Sequence, residues 1–327
     1  MFMMRFDMRA PATGAPARDL YAAAIEMAAW AETRGCVTVV LCEHHMSADG
    51  YLPAPLVLAA AMAARTSAVP LSVAALPLPL YDPIRLAEEM AVLDIVSSGR
   101  LFYVAAIGYL PAEYEMYGVD FRRRGRLADE LLPLLLRAKT GEAFEHEGRR
   151  IQVTPTPLTP GGPTVFWGGG SRAAARRAGR HGIGFLAQSD NKELQAAYEE
   201  AARAAGHEAG MCMLNSPDKP TTAFVAEDVD QAWDELGPYL MHDVRSYAAW
   251  NEGNTDTASL SFARTAEELR AERRSHQVFT VDEAVELVRA GEMLQLHPLV
   301  GGLPPEIGWR YLTTVVEKVL PAAQKPA

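Results

Sequence analysis

The chain has 327 residues, 49% hydrophobic and 22% charged, enough apolar material for a large core and enough charge to solvate an outer layer. Its net charge is −10, and its arginines are scattered through predicted helices, which argues against nucleic acid or an anionic membrane as partner. Cys36, Cys42 and Cys212 show no CxxC spacing, so neither a disulfide framework nor a thiolate metal site is expected, and a cytoplasmic setting fits.

In chain order, Phe2–Arg9 reads as a strand, because Arg5 and Asp7 interrupt its apolar residues where a secretory leader would have an h-region. No later run approaches the roughly 20 apolar residues of a membrane span. Arg18–Arg34 carries Leu20, Ala24, Met27 and Ala31 at helical spacing, and Gly35 ends it. Val37–Cys42 is the second strand, Leu56–Arg65 an alanine-rich helix and Leu71–Leu76 the third strand. Asp82 and Pro83 supply an N-cap and an N1 proline for the next helix, which Ser97, Ser98 and Gly99 stop. Leu101–Ala106 is the fourth strand, followed by a helix with Leu127, Leu131, Leu134 and Ala138 on one side. Residues 141–162 read as irregular and deliver the chain to a fifth strand, Thr164–Trp167, and a helix, Arg172–His181. Ile183–Ala187, Thr221–Ala226 and Met293–His297 serve as strands six to eight. Asn251–Ser275 is polar and reads as an insertion or mobile loop before the last βα unit.

Strands alternating with helices predict a parallel α/β architecture. Eight strand candidates, with no GxGxxG after the first, favour a closed (β/α)8 TIM barrel over an open sheet, as a single domain over residues 1–327.

The run Val39–Leu41 ends abruptly in Cys42, Glu43, His44 and His45, so ionisable groups arrive at the C-terminal end of a strand, where barrel active sites lie. If strand geometry persists, neighbouring side chains alternate and only one imidazole faces the mouth easily. The diverging rings make a metal centre an unexpected use, and the alternative to chemistry is a set of satisfied polar groups closing the barrel. Gly168, Gly169, Gly170 and Ser171 join a strand to a helix, where backbone N–H groups suit a phosphate. Ser171 adds a hydroxyl and Arg172 a counter-charge; the alternative is a tight turn that needs glycine. Tyr51, Tyr109, Tyr114, Trp167 and Trp250 line a pocket or simply pack. Glu113 either touches a ligand or caps and pairs with the arginines of 122–126. His297, at the end of the last strand, is the one other plausible mouth histidine; His146, His181, His207, His242 and His276 show no visible partner.

Glu43-His44-His45, Gly50-Tyr51-Leu52-Pro53-Ala54-Pro55, Leu78–Pro83, Arg85–Glu89 through Leu93-Asp94, and Ser97–Arg100 together resemble the bacterial luciferase-like flavin-dependent monooxygenases. Gly108-Tyr109, Glu113-Tyr114, Gly118–Asp120, Arg124, Trp167–Gly169 and His297–Pro305 extend the likeness, in the same order, to nearly the whole chain outside roughly 207–280. The resemblance implies a (β/α)8 barrel holding a reduced flavin or deazaflavin in its mouth, commonly as a homodimer. It makes His44 the general base or hydrogen-bond partner beside the ring, with Glu43 orienting the site or fixing a histidine tautomer. Val73, Ala74 and Ala75 fall in the third strand, where the family often carries a non-prolyl cis peptide under the flavin. Ala106 and Gly108 would also adjoin the cofactor, Gly168–Arg172 would hold its phosphate, and Tyr109, Trp167 and His297 would line the substrate pocket. Ile107 departs from the pattern, because members that use flavin mononucleotide (FMN) often place a phosphate-binding arginine there; Arg172 would substitute, or the cofactor would be the deazaflavin. The activity implied is a monooxygenase using reduced FMN, supplied by a separate flavin reductase, and O2 on a small organic substrate. A deazaflavin hydride-transfer oxidoreductase and a non-catalytic flavin-binding protein are the alternatives.

Overall fold

The structure, a computed structural model, describes residues 1–251, 257 and 260–324. Of the polar stretch expected as an insertion, residues 252–256 and 258–259 therefore lie outside the described residues. The elements run β1 (Phe2–Phe6), α1 (Ala17–Ala31), β2 (Cys36–Leu41), α2 (Pro55–Arg65), β3 (Leu71–Pro77), α3 (Pro83–Ser97), β4 (Leu101–Ala106), α4 (Pro111–Met116) and α5 (Arg124–Ala138). There follow β5 (Phe144–His146), β6 (Arg149–Ile151), β7 (Thr164–Gly169), α6 (Arg172–Arg180), β8 (Phe185–Ala187), α7 (Lys192–Ala204), β9 (Cys212–Met213) and β10 (Thr222–Ala226). The chain closes with α8 (Val229–Trp250), α9 (Ala266–Glu272), β11 (His276–Thr280), α10 (Val281–Arg289), β12 (Leu294–Leu296), α11 (Pro305–Thr314) and α12 (Leu320–Gln324).

These elements form two compact units. The first comprises Met1–Leu41, Ser47–Pro53 and Ser216–Ala327, with parallel strands in the order β11-β10-β12-β1-β2. Its helix α8 packs Trp233, Leu236 and Leu240 with Phe224, Leu269, Val278 and Leu303 in one buried cluster. The second comprises Cys42–Met46 and Ala54–Asn215, with parallel strands in the order β3-β4-β7-β8-β9 and a separate antiparallel hairpin, β5-β6.

Three expectations are corrected. The region read as irregular contains the hairpin β5-β6, turned by Glu147 and Gly148, whose φ of 48° and 71° suit a two-residue turn. Within 251–275, α9 is a helix capped by the Thr265 hydroxyl, which accepts from Glu268 N. The strand β11 was missed because His276 and Gln277 open it; burial of all but its last residue overrides their polarity. Among the described residues no helix is long and apolar enough to cross a membrane.

In the second unit, Arg100 holds the ends of two helices. Its Nε donates to Ser97 O at 2.6 Å, Nη1 to Val69 O at 2.8 Å and Thr66 Oγ1 at 2.9 Å, and Nη2 to Ala63 O and Thr66 O, each at 3.0 Å. Orphan carbonyls at the C-termini of α2 and α3 are thereby satisfied from one planar fork. Arg100→Lys keeps the charge but strands several acceptors, so unfolding in urea should show a loss of about 2–3 kcal/mol at unchanged m-value. An unmoved midpoint would refute this role for the fork.

Candidate active site

The strand β2 ends at Leu41, and Cys42–Met46 leaves the sheet, with Met46 at φ 55°. Strand geometry, the condition for the expected alternation of side chains, does not persist there, and both imidazoles have hydrogen-bond partners. The His44 Nδ1 lies 2.8 Å from Glu113 Oε1, and its Nε2 lies 3.1 Å from the Tyr109 hydroxyl. His45 donates its backbone N–H to the same Glu113 oxygen at 2.8 Å, while its Nε2 lies 3.0 Å from Glu43 Oε1 and its Nδ1 3.3 Å from Tyr117 Oη. Tyr81 donates to Glu43 Oε1 at 2.7 Å. Glu43 therefore serves His45 rather than His44, and the partner of His44 is Glu113, which sequence reasoning left unassigned.

Burial separates the two carboxyl groups from solvent: Glu43 is 4% and Glu113 1% exposed, while His44 is half-buried. Loss of solvation pushes the Glu43 pKa up, against the opposing hydrogen bonds from His45 and Tyr81, and its Oε2 is buried without a hydrogen-bond partner. The site thus holds two buried carboxyl groups, each hydrogen-bonded to its own imidazole.

The residues expected around a cofactor lie on neighbouring strand ends. The Ala74–Ala75 peptide is cis; Val73 is buried, Ala74 half-buried and Ala75 exposed. Pro77 pairs with Ala106, and a Cβ on Gly108, where φ is 68°, would lie 3.3 Å from Pro77 Cβ. Ala105 pairs with Trp167, which brings Gly168 beside β4: a Cβ there would lie 3.0 Å from Val104 Cγ1. At Gly169 it would stand 2.8 Å from Ala174 Cβ, and at Gly170 3.3 Å from Gln188 Oε1, so protein atoms already occupy the space these glycines leave. Ser171 caps α6, accepting from Ala174 N at 3.2 Å. Arg172 is exposed and pairs with Glu193 at 3.6 Å. Trp167 is wholly buried, with the Arg177 guanidinium 5.0 Å from its ring centroid, so it belongs to the core and not to a pocket wall.

His297 lies in the first unit, fully buried, in an ionic cluster, and it also lines a small cavity with Phe224, Leu296 and Tyr311. Arg5 Nη2 stands 3.1 Å from His297 Nδ1 and 3.7 Å from Asp243, which also takes His276 Nε2 at 2.9 Å. Arg9 is buried with Nη1 2.5 Å from Asp49, Nε 3.4 Å from Asp7 and 3.6 Å from Asp243, and its guanidinium 4.5–5.2 Å from the rings of Tyr51, Tyr247 and Trp250. His242 pairs with Asp49 at 2.7 Å, so both it and His276 have partners that sequence reasoning did not see. Asp7, Asp243 and His297 converge as metal ligands would, but their surroundings favour ion pairing. Arg5 can only donate, so His297 Nδ1 accepts, and a neutral ring then carries its proton on Nε2, the atom 3.5 Å from Asp7. Burial lowers the His297 pKa and favours that neutral ring, and the carboxylates already face two guanidinium groups.

A family model described as luciferase-like monooxygenase matches residues 2–304. The alkanal monooxygenase alpha chain of Photorhabdus luminescens is 27% identical over 187 residues, 54% of this chain and 52% of that one. The chain spans about half or less of the length of the first curated relatives it matches. The monooxygenase RslO1 of Streptomyces bottropensis superposes with a TM-score of 0.77 at 24% identity, over 98% of this chain and 99% of that one. The oxygenating constituent of the Pseudomonas putida 3,6-diketocamphane monooxygenase, solved in complex with FMN, superposes at 0.72 and 20% identity, over 100% and 99%.

The fold is therefore the luciferase-like α/β TIM barrel. The chain belongs to the luciferase-like monooxygenase family.

The surroundings of Glu43 give a pH test. Folding tightens its hold on a proton, so its contribution to stability is full below the unfolded carboxylate pKa and is lost as pH rises through the raised folded value. Glu43→Gln, which stays neutral, should gain stability relative to the parent chain as pH rises through that window. Urea titrations at a series of pH values giving a constant difference between the two proteins would rule the shift out.

Proposed function

We propose that this protein is a monooxygenase that uses reduced FMN and O2 on a small organic substrate, with His44 as its acid/base group and its two compact units working as one domain. The observation that supports this best is a half-buried imidazole held between a buried carboxylate and a tyrosine hydroxyl, with small residues at Ala74, Ala75, Ala106 and Gly108 on the neighbouring strand ends. Ala74, Ala75, Ala106 and Gly108 would lie against the cofactor ring, where short side chains permit close approach. When bound, reduced flavin supplies the electrons and activates O2. The chain's own part is to bind and orient the ligands, exclude water and move a proton at His44. A separate flavin reductase as supplier and a homodimeric assembly complete the reading.

The phosphate is assigned to Arg124 in preference to Arg172. Arg124 opens α5 with Nη1 donating to Phe121 O at 3.0 Å and its Nε buried without a hydrogen-bond partner among the described residues, the condition of a donor that suits an anion. Its charge acts on Tyr114, whose hydroxyl donates to Ile107 O, and so it lies near the segment in which Ile107 replaces the expected arginine. Arg177 ties the start of α5 to α6 by donating to Gly125 O at 3.0 Å and Asp129 at 2.9 Å, which supports a phosphate between Arg124 and the Ser171 end of α6.

Anaerobic titration with reduced FMN should give affinity about 10- to 100-fold weaker for Arg124→Ala, the loss of one charge-assisted contact, and little change for Arg172→Ala. The reverse order would move the phosphate to Arg172; deazaflavin binding without FMN binding would replace the cofactor. His44→Ala should bind FMN nearly normally yet lower turnover by ~100-fold, and full turnover would remove His44 from the chemistry.

A further inference from the structure

We infer that Glu113 is a positioning residue that locks the tautomer of His44, and that the proton handled at this site passes through the Tyr109 hydroxyl rather than directly from the imidazole. The reaction served rests on the flavin-enzyme reading above; the tautomer and the relay rest on geometry.

Glu113 Oε1 lies 2.8 Å from both His45 N and His44 Nδ1. A backbone N–H can only donate, so this oxygen is an acceptor, and His44 meets it with Nδ1–H. A neutral imidazole protonated on Nδ1 has its lone pair on Nε2. Tyr109 Oη, 3.1 Å from Nε2, is then the donor, and the two rings meet edge to face at 78° with centroids 5.2 Å apart. Hydroxyl, imidazole and carboxylate thus stand in one line, each pair within proton-transfer reach. Glu113 is 1% exposed while His44 and Tyr109 are both half-buried, so the carboxylate anchors the inner end.

The neighbouring set contains the same three kinds of group and differs where it matters. Tyr117, His45 and Glu43 also align, but Glu43 Oε1 already accepts from Tyr81, and among the described residues no backbone N–H binds it. Burial favours the neutral form of Glu43. His44 differs in that its carboxyl partner also holds a backbone N–H and its free nitrogen meets the nearer hydroxyl, at 3.1 Å against 3.3 Å for His45.

The step balances without a further reagent. An O–H or C–H of the bound ligand gives its proton to Tyr109 Oη while the Tyr109 proton moves to His44 Nε2. The ligand is left with the electron pair and one negative charge, and the imidazolium faces Glu113; the reverse sequence returns the proton. With the other tautomer, Nε2 already carries hydrogen and the relay stops.

Nitrogen-15 NMR of histidine-labelled, flavin-free protein reads the tautomer directly. His44 should show the Nδ1–H form in the parent chain and in Tyr109→Phe, and lose that preference in Glu113→Ala. In turnover with reduced flavin, Tyr109→Phe should fall by ~100-fold at unchanged cofactor affinity. Glu113→Ala should fall comparably with its pH–rate profile displaced to lower pKa, and Glu113→Asp should recover part of both. Tyr109→Phe alters the half-buried end and keeps the test decisive if the Glu113→Ala protein fails to fold. An Nε2–H form of His44 in the parent chain, or full turnover by Tyr109→Phe, overturns the inference. A Nδ1–H form in a protein that binds no flavin supports the tautomer assignment while sinking the proposed function.

Discussion

A carboxylate as deeply buried as Glu113 is tolerable only if N–H donors replace the water it has lost. The donors are His45 N and His44 Nδ1, and that requirement shapes the second unit around the short helix α4. The sheet must release the chain at Leu41, since an N–H committed to a β ladder could not turn to Glu113. The next residue of α4, Tyr114, is equally buried and donates its hydroxyl to Ile107 O, fixing the loop after β4 that carries Gly108 and Tyr109. One turn of helix thereby positions both the imidazole and the hydroxyl it meets. The preceding Pro111 sets the start of that turn without leaving an unpaired donor.

The architecture was largely legible because its signals are local. Apolar runs such as Leu101–Ala106, Asp82 followed by Pro83, and the Ser97–Gly99 stop all act within a few residues, and the structure keeps them. Tertiary burial is not written that way, and β11 with its polar opening residues escaped notice for that reason. The site divides along the same line. Glu43, His44 and His45 could be read as a cluster, but Tyr81, Tyr109, Glu113 and Tyr117 are separated from them by tens of residues, and neither spacing nor period links Glu113 to His44. Which histidine Glu43 meets depends on the chain leaving the sheet after Leu41, which no local signal announces.

The first unit handles buried charge differently. Asp7, Asp49 and Asp243 surround Arg9, and Tyr51, Tyr247 and Trp250 offer their rings to its guanidinium. Burial opposes the Arg9 charge, but Asp7 and Asp243 outweigh it and drive its pKa up. Such a network adds little net stability over an apolar core, yet removing one partner leaves a charge stranded, so it constrains how residues from both ends of the chain meet. Arg5 extends it to His297 and fixes which ring nitrogen carries hydrogen. Convergent ligand types are thus insufficient evidence of a metal centre when guanidinium groups already supply the positive charge.

The same caution applies to the glycines after β7. Read alone, Gly168–Gly170 before a helix suggests a phosphate cradle, because backbone approach needs bare Cα atoms. Here the missing Cβ atoms would meet Val104, Ala174 and Gln188, so close packing between β4, β7 and α6 is enough to require small residues. Packing explains the glycines without a ligand; it does not explain an arginine nitrogen buried with no acceptor. That asymmetry is why Arg124 carries more weight than the glycine turn: a void already filled by protein has no use for a ligand, whereas a buried donor without a partner remains costly until an acceptor arrives.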